Sequence, residues 1–144
     1  MSDAYRVTTR TVDGGPTAVG SGGPFTVVID RPTSAGGRGL GFNGGQLLYL
    51  AIAACVSNDL YREAATRGIG LRRVVVTVDG DFPAPGAPSG PIDIDVEVEG
   101  DAAAEALDAL LRDVDALAEI PASIRRGTEV RLRTRKIAGG PEPA

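Results

Sequence analysis

Apolar and acidic residues alternate without a break over residues 92–99. A period of two is typical of a half-buried β-strand, here with one apolar and one acidic face. Residues 5–12, 17–19 and 25–29 are also rich in β-forming residues, and turn clusters of Gly, Pro, Asp and Ser separate them. These three segments predict an N-terminal antiparallel meander. The β-branched run 71–78 predicts a further strand.

Residues 46–67 carry the spacing of an amphipathic helix. The residues at three- and four-residue intervals on one face are Leu47, Leu48, Ala51, Ile52, Cys55 and Val56. Further apolar residues make the first half apolar nearly all round, which indicates burial on most sides. Polar residues return from Ser57 onward, and Gly68 is a typical helix stop. The sequence therefore predicts a long central helix that carries the only cysteine.

A second helix is predicted between Asp101, as N-cap, and Pro121, as the residue that ends it. Its expected buried stripe consists of Leu107, Leu110, Leu111, Val114 and Leu117. Residues 128–136 predict a last strand, with Val130 and Leu132 facing inward and Arg131, Arg133 and Arg135 facing outward. The outward arginines are expected to pair with the acidic face of residues 92–99. The fold class is therefore α+β.

The length of 144 residues suits one domain that covers the whole chain, 1–144. Within it we expect the meander and a Gly-rich loop over 1–45, a helix-strand-strand-helix-strand unit over 46–137, and a loose tail over 138–144. The net charge of −4 argues against a nucleic-acid partner. The apolar run 47–56 is too short to span a membrane, and the first residues lack the apolar core of a signal peptide.

The side chains available for catalysis are few, because the chain has one Cys and no His. A Ser-His-Asp or Cys-His arrangement within one chain is therefore excluded, and a zinc site is not expected. The glycines of residues 36–41 are interpreted as a loop rather than a phosphate-binding turn, because the strand-then-helix context is missing. We expect neither a cofactor nor a metal. A single cysteine cannot form an internal disulfide, which favours a cytoplasmic protein.

Cys55 admits two interpretations, a small packing residue or a nucleophile. A free thiol is only a few per cent thiolate at neutral pH, and burial among Leu, Ile and Ala disfavours the charged form further. A cation close to the sulfur would be needed to activate it. The residues alone leave both interpretations open.

Three local segments resemble the OsmC/Ohr family. They are Gln46-Leu47-Leu48 through Ala53-Ala54-Cys55, then Arg67-Gly68-Ile69-Gly70-Leu71, then Ile120-Pro121-Ala122-Ser123 before the last predicted strand. The resemblance implies an intertwined homodimer with two sites at the subunit interface. It also implies reduction of organic hydroperoxides by an attacking cysteine and a resolving cysteine, with an Arg and a Glu that hold the attacking thiol as thiolate.

Carried over residue by residue, the resemblance places Cys55 at the attacking position. Ile120 stands at the resolving position and Gly45 where the Glu would be. Arg6 and Arg10 are the candidates for the activating arginine. The implied function is a one-cysteine thiol peroxidase that needs an external thiol. The alternative is a non-catalytic dimer that binds a small apolar ligand in the inherited interface pocket, so whether the protein is an enzyme stays open.

Overall fold

The computed structural model describes residues 4–141 and has the predicted α+β architecture. Its first part is a three-stranded antiparallel sheet in the order β1-β2-β3. The strands are β1 (Thr8–Thr11), β2 (Ala18–Gly22) and β3 (Phe25–Ile29). The predicted meander is therefore confirmed, with β1 shorter and β2 longer than the sequence suggested.

The two faces of the meander follow from its register. Arg10 lies opposite Val19, which lies opposite Val28, so these three residues share one face. Gly20 and Val27 belong to the other face. A Cβ atom at Gly20 would lie 2.9 Å from Cδ1 of Ile29. The absence of a side chain at position 20 thus leaves room for the apolar side chains of β3 to lie over β2.

The Gly-rich loop after β3 is folded around the carboxylate of Asp30, which is 2% exposed. This carboxylate accepts hydrogen bonds from the backbone N–H groups of Arg31 (2.8 Å), Leu40 (3.2 Å) and Arg38 (3.3 Å) and from the hydroxyl of Thr17 (3.0 Å). Burial acts to raise the pKa of Asp30, but the hydrogen bonds outweigh it and the pKa lies below its ordinary value. The loop interpretation of residues 36–41 is confirmed.

Helix α1 (Gly44–Thr66) is the long central helix that the sequence predicts. It begins with a capping box, in which the Asn43 side chain accepts from the Gln46 backbone N–H and the Gln46 side chain accepts from the Asn43 backbone N–H. At its other end Gly68 adopts a φ of 66°, which glycine tolerates better than other residues. Both ends are therefore determined by local sequence.

Strands β4 (Leu71–Asp79) and β5 (Asp93–Gly100) form a two-stranded antiparallel sheet against α1. The acidic face of β5 does form ion pairs with a neighbouring strand, but that strand is β4 and not residues 128–136. Nη1 of Arg73 on β4 lies 3.0 Å from Glu97 and 3.6 Å from Glu99. The expected pairing with the arginines of residues 128–136 is wrong for Glu97 and Glu99, because the neighbouring strand β4 supplies the cation.

The second helical region consists of α2 (Ala104–Leu117) and α3 (Glu119–Arg125), and two sequence expectations about it are wrong. Asp101 does not cap α2, because its carboxylate accepts from the Gly70 backbone N–H at 2.7 Å and Ala103 holds the N-cap position. Pro121 does not end the helix but lies in the first turn of α3. Proline is tolerated there because the first N–H groups of a helix have no partner inside the helix.

The core lies between α1, α2 and the β4–β5 sheet. Leu60, Leu110 and Val114 are fully buried, and Val56 and Ala64 complete the centre of the cluster. Of the predicted α2 stripe, Leu107 and Leu111 are half-buried. Leu117 remains 38% exposed.

Residues 128–136 form no strand in the described part of the chain. Val130 and Leu132, expected to face inward, are 94% and 82% exposed. A strand needs hydrogen bonds from a neighbouring strand, and within residues 4–141 this segment pairs with none. Of the predicted loose tail, residues 138–141 are in no regular element, and 142–144 lie outside the described residues. Among the described helices, none has the length and hydrophobicity to cross a membrane.

Candidate functional site

Cys55 lies in the middle of α1 and is half-buried. Its neighbours on the helix, Ile52 and Val56, are 2% and 4% exposed and face the core. Ala51 and Ala54, which the sequence placed with the apolar surface, are exposed. Cys55 therefore stands at the border between the buried stripe of α1 and an apolar surface that this chain leaves open.

The polar neighbour of Cys55 is Asp59, one helical turn further along. The Sγ–H group donates to Oδ2 of Asp59 at 3.8 Å. Asp59 is only 8% exposed and belongs to the buried stripe of α1. A carboxylate does not activate a thiol as a cation would, because its negative charge opposes the negative charge of a thiolate.

A cation reaches the carboxylate rather than the sulfur. Nη1 of Arg62 lies 3.1 Å from Oδ1 of Asp59, and its Nε lies 3.3 Å from Glu63. The hydrogen bond with Glu63 and the charge of Asp59 raise the pKa of Arg62, and Glu119 of α3 contributes in the same direction. The side chains thus form a chain of contacts from thiol to carboxylate to guanidinium along α1.

Helix α3 lies against the part of α1 that carries Cys55. Pro121 and Ile124 line a small cavity of about 70 Å³ together with Ile52, and Glu119 acts on Arg62. Ile120, which the resemblance places at the resolving position, stands between Glu119 and Pro121 and is 37% exposed. The two neighbours of position 120 thus interact with α1 before and after Cys55, since Pro121 shares a cavity with Ile52 and Glu119 acts on Arg62.

Gly45, at the position of the activating Glu, is covered by an aromatic ring. A Cβ atom at Gly45 would lie 2.8 Å from Cε2 of Phe82, and the ring of Phe82 stacks on Tyr49 at 5.9 Å. A larger side chain at position 45 would have to displace this ring. In this chain the aromatic pair occupies the place where a carboxylate would need to stand.

Arg6 and Arg10, the candidates for the activating arginine, are exposed in the meander. Arg10 shares its face with Val19 and Val28, the face opposite Val27. Within residues 4–141 the hydrogen bond of Cys55 goes to Asp59 and reaches neither arginine. Their role stays a prediction.

An apolar groove of about 400 Å³ lies between the meander and the start of α1. Its lining includes Val7, Phe25, Val27, Ile29 and Leu47. Phe25 and Val7 are 77% and 79% exposed. The groove is large enough for a small apolar molecule, and it is also the kind of surface that another protein chain covers.

The sequence places Asp59 among the polar residues that follow Ser57 in α1, and no role in the site was predicted for it. The spacing offered a signal, because residues four apart on a helix are neighbours and Asp59 follows Cys55 by that interval. The expectation of no metal site is not tested by a structure that carries no ligands. Among the described residues, no cluster of three or more Asp, Glu or Cys side chains is placed to hold a metal ion.

The sequence profile of OsmC-like proteins matches residues 36–133, more than half of the 144-residue chain. The chain belongs to the OsmC-like protein family. The matched region contains α1 with Cys55, both strands of the second sheet and both later helices. Comparison with curated proteins gives no match.

Solved structures of OsmC-like proteins share the fold. The OsmC-like protein from Mycoplasma pneumoniae has a TM-score of 0.74 and 17% identity, with 87% of this chain and 89% of that chain covered. The organic hydroperoxide resistance protein OsmC from Legionella pneumophila has a TM-score of 0.60 and 20% identity, with 85% and 90% covered. OhrB of Bacillus subtilis, also an organic hydroperoxide resistance protein, has a TM-score of 0.59 and 21% identity, with 85% of this chain and 91% of that chain covered.

Proposed function

We propose that this protein is an OsmC-like homodimer in which Cys55 reduces organic hydroperoxides slowly, as a one-cysteine thiol peroxidase. The position of Cys55 carries the proposal. The only thiol of the chain lies on α1, where the family resemblance places the attacking cysteine, and it is half-buried, whereas its neighbour Val56 is buried in the core. An unpaired thiol suits the reducing cytoplasm, where we place the protein.

The chemistry requires no second cysteine. The sulfur of Cys55 forms a bond to one hydroperoxide oxygen as the O–O bond breaks, so that the thiol becomes a sulfenic acid and the hydroperoxide becomes an alcohol. The thiol proton ends on the departing alkoxide. One external thiol then forms a mixed disulfide with Cys55 and releases water, and a second external thiol leaves with the first as a disulfide and restores Cys55.

The expected rate is low, because two functional groups of the family pattern, the activating carboxylate and the resolving thiol, are absent from their positions. Gly45 carries no carboxylate, and Ile120 offers no thiol to resolve the sulfenic acid. The sulfur instead donates a hydrogen bond to the carboxylate of Asp59. A carboxylate beside the sulfur does not stabilise a thiolate as a cation would.

The homodimer is supported by the apolar surface that a single chain leaves open. Phe25 in the meander, Leu50 on α1 and Leu132 near the C-terminus are 77%, 46% and 82% exposed. An exposed apolar surface of this extent is typical of an interface between chains. In such a dimer the Arg6 or Arg10 that approaches Cys55 would belong to the partner subunit.

The first experiment exposes the native protein to cumene hydroperoxide and traps sulfenic acid with dimedone. We expect a single adduct on Cys55 that accumulates over minutes, and slow alcohol formation when dithiothreitol is supplied. Cys55→Ser is the control and should show neither. A native protein that forms no adduct after prolonged exposure contradicts the peroxidase.

That outcome would favour the second candidate function, binding of a small apolar molecule without turnover. The observation in its favour is the apolar groove lined by Phe25, Val27 and Leu47. Saturable binding of a hydrophobic fluorescent probe to Cys55→Ser, weakened by Val27→Asp, would support it.

A second cysteine at position 120 tests the correspondence with the two-cysteine relatives. In Ile120→Cys we expect hydroperoxide to produce a 55–120 disulfide, seen in unreduced peptides by mass spectrometry, and faster turnover. Such a bridge needs Cα atoms within about 7 Å. A folded variant that forms no bridge would place position 120 away from Cys55.

A further inference from the structure

Asp59 is the charged residue on the buried stripe of α1, whose other members are Ile52, Val56, Leu60 and Ala64. Burying a carboxylate is unfavourable unless hydrogen bonds and opposite charge compensate. Within residues 4–141 the polar contacts of Asp59 are with the thiol of Cys55 and the guanidinium of Arg62. Asp59 therefore does not cap a helix end. It also does not hold a loop together, which is the role of Asp30.

The geometry points to Asp59 and Arg62 as positioning residues that together set how readily Cys55 reacts. The carboxylate receives the thiol proton in a hydrogen bond and so favours the protonated sulfur. The guanidinium offsets part of the negative charge of the carboxylate and so moderates this effect. The assignment rests on the proposed function, in which the thiolate of Cys55 is the reacting form.

Two further carboxylates influence the same guanidinium. Glu63, on the same helix, binds Arg62 and competes with Asp59 for it, and the charge of Glu119 on α3 also acts on Arg62. Cys55 packs against a hydrophobic core to which β4, β5 and α2 contribute apolar side chains. They are Leu71, Val74, Val76, Val96, Val98, Leu110, Leu111 and Val114.

The two residues should affect Cys55 in opposite directions. Asp59→Asn keeps the shape of the side chain and removes its charge, so the reaction of Cys55 with iodoacetamide should accelerate about tenfold at pH 7. Arg62→Gln leaves the charge of Asp59 without its partner, so the same reaction should slow by about threefold to tenfold.

The readout is the full pH profile of the iodoacetamide reaction between pH 6 and 10. Its midpoint should fall in Asp59→Asn, rise in Arg62→Gln and stay near the native value in Asp59→Glu. Arg67→Gln is the matched control, because Arg67 follows the same helix and binds Asp113 at 2.6 Å rather than Asp59. It should leave the profile unchanged.

The alkylation does not involve a hydroperoxide, so it tests this assignment even if the proposed peroxidase fails. Arg62 is 55% exposed, and its replacement does not threaten the fold. Native circular dichroism together with an unchanged profile in Arg62→Gln overturns the assignment. So does a folded Asp59→Asn whose profile matches the native one, or variants that both shift in the same direction.

Discussion

The part of the chain from α1 to α3, here called the helical half, and the N-terminal meander use similar apolar side chains in different ways. In the helical half Leu60, Leu110 and Val114 are fully buried within the chain itself. In the meander Val19 and Val28 stay 41% and 43% exposed, although both lie within strands. The first region is a finished core. The second is a surface that becomes a core only when something else covers it.

The difference has a topological cause. Helix α1 packs on β4 and on α2, and β4 pairs with β5, so the helical half closes on itself. The strands of the meander pair with one another, and β3 forms an isolated bridge from Ile29 to Phe42 in the following loop. We therefore expect stability to depend mainly on the helical half and the proposed homodimer to depend on the meander.

The largest expected effect lies in the finished core. Leu60→Ala should lower the free energy of unfolding by about 2–5 kcal/mol, because Leu60 is fully buried and its removal leaves a cavity. Leu40→Ala is the matched control, since Leu40 is 61% exposed in the Gly-rich loop, and it should stay within about 0.5 kcal/mol. Urea denaturation measures both. Equal losses would show that the loop is packed as tightly as the helices.

A charge in the meander should affect assembly rather than the fold of the chain. Val27→Asp places a carboxylate in the apolar groove and should weaken the homodimer by tenfold or more, about 1.4 kcal/mol, in sedimentation equilibrium. Val28→Asp makes the same change on the opposite face and should weaken the dimer less. A larger effect of Val28→Asp would mean that the other face of the meander is covered.

The smallest effect concerns Asp30, which joins the loop to the meander. Its folded pKa lies below the ordinary 3.8, so its contribution to stability is complete above that value and is lost as the pH falls through the folded pKa. Asp30→Asn removes this contribution. The difference in unfolding free energy between the native protein and the variant should shrink as the pH falls from 6 to below 3. A constant difference would contradict the assignment.

Much of the fold could be predicted because the local signals are strong. The alternation that defines β5, the Gly68 stop and the β-rich runs of the meander each depend on neighbours in sequence. The end of the second helix could not be predicted in this way. Pro121 has the same local sequence whether it ends one helix or starts another, and only the extended backbone conformation of Ala118, between α2 and α3, decides.

The candidate site was less predictable, because its chemistry depends on contacts between side chains. Cys55 stood out by being the only cysteine. The burial of Asp59 did not, since a polar residue near the end of an apolar run normally faces water. The ring of Phe82 over Gly45 joins residues 37 positions apart, and no local pattern reports such a contact. The exposure of Val130 likewise depends on whether a strand is available to pair with it.

Tyr49 has a consequence for the order in which the chain folds. Its hydroxyl lies 2.7 Å from Oγ of Ser89 and donates to the Asp81 carbonyl oxygen, and its ring stacks on Phe82, so α1 holds the long connection between β4 and β5. Closing a loop of this length costs conformational entropy before the strands gain their hydrogen bonds. An already formed α1 lowers that barrier by fixing the loop at two points. The β4–β5 hairpin should therefore form after the helix, and Tyr49→Phe should slow refolding more than it speeds unfolding.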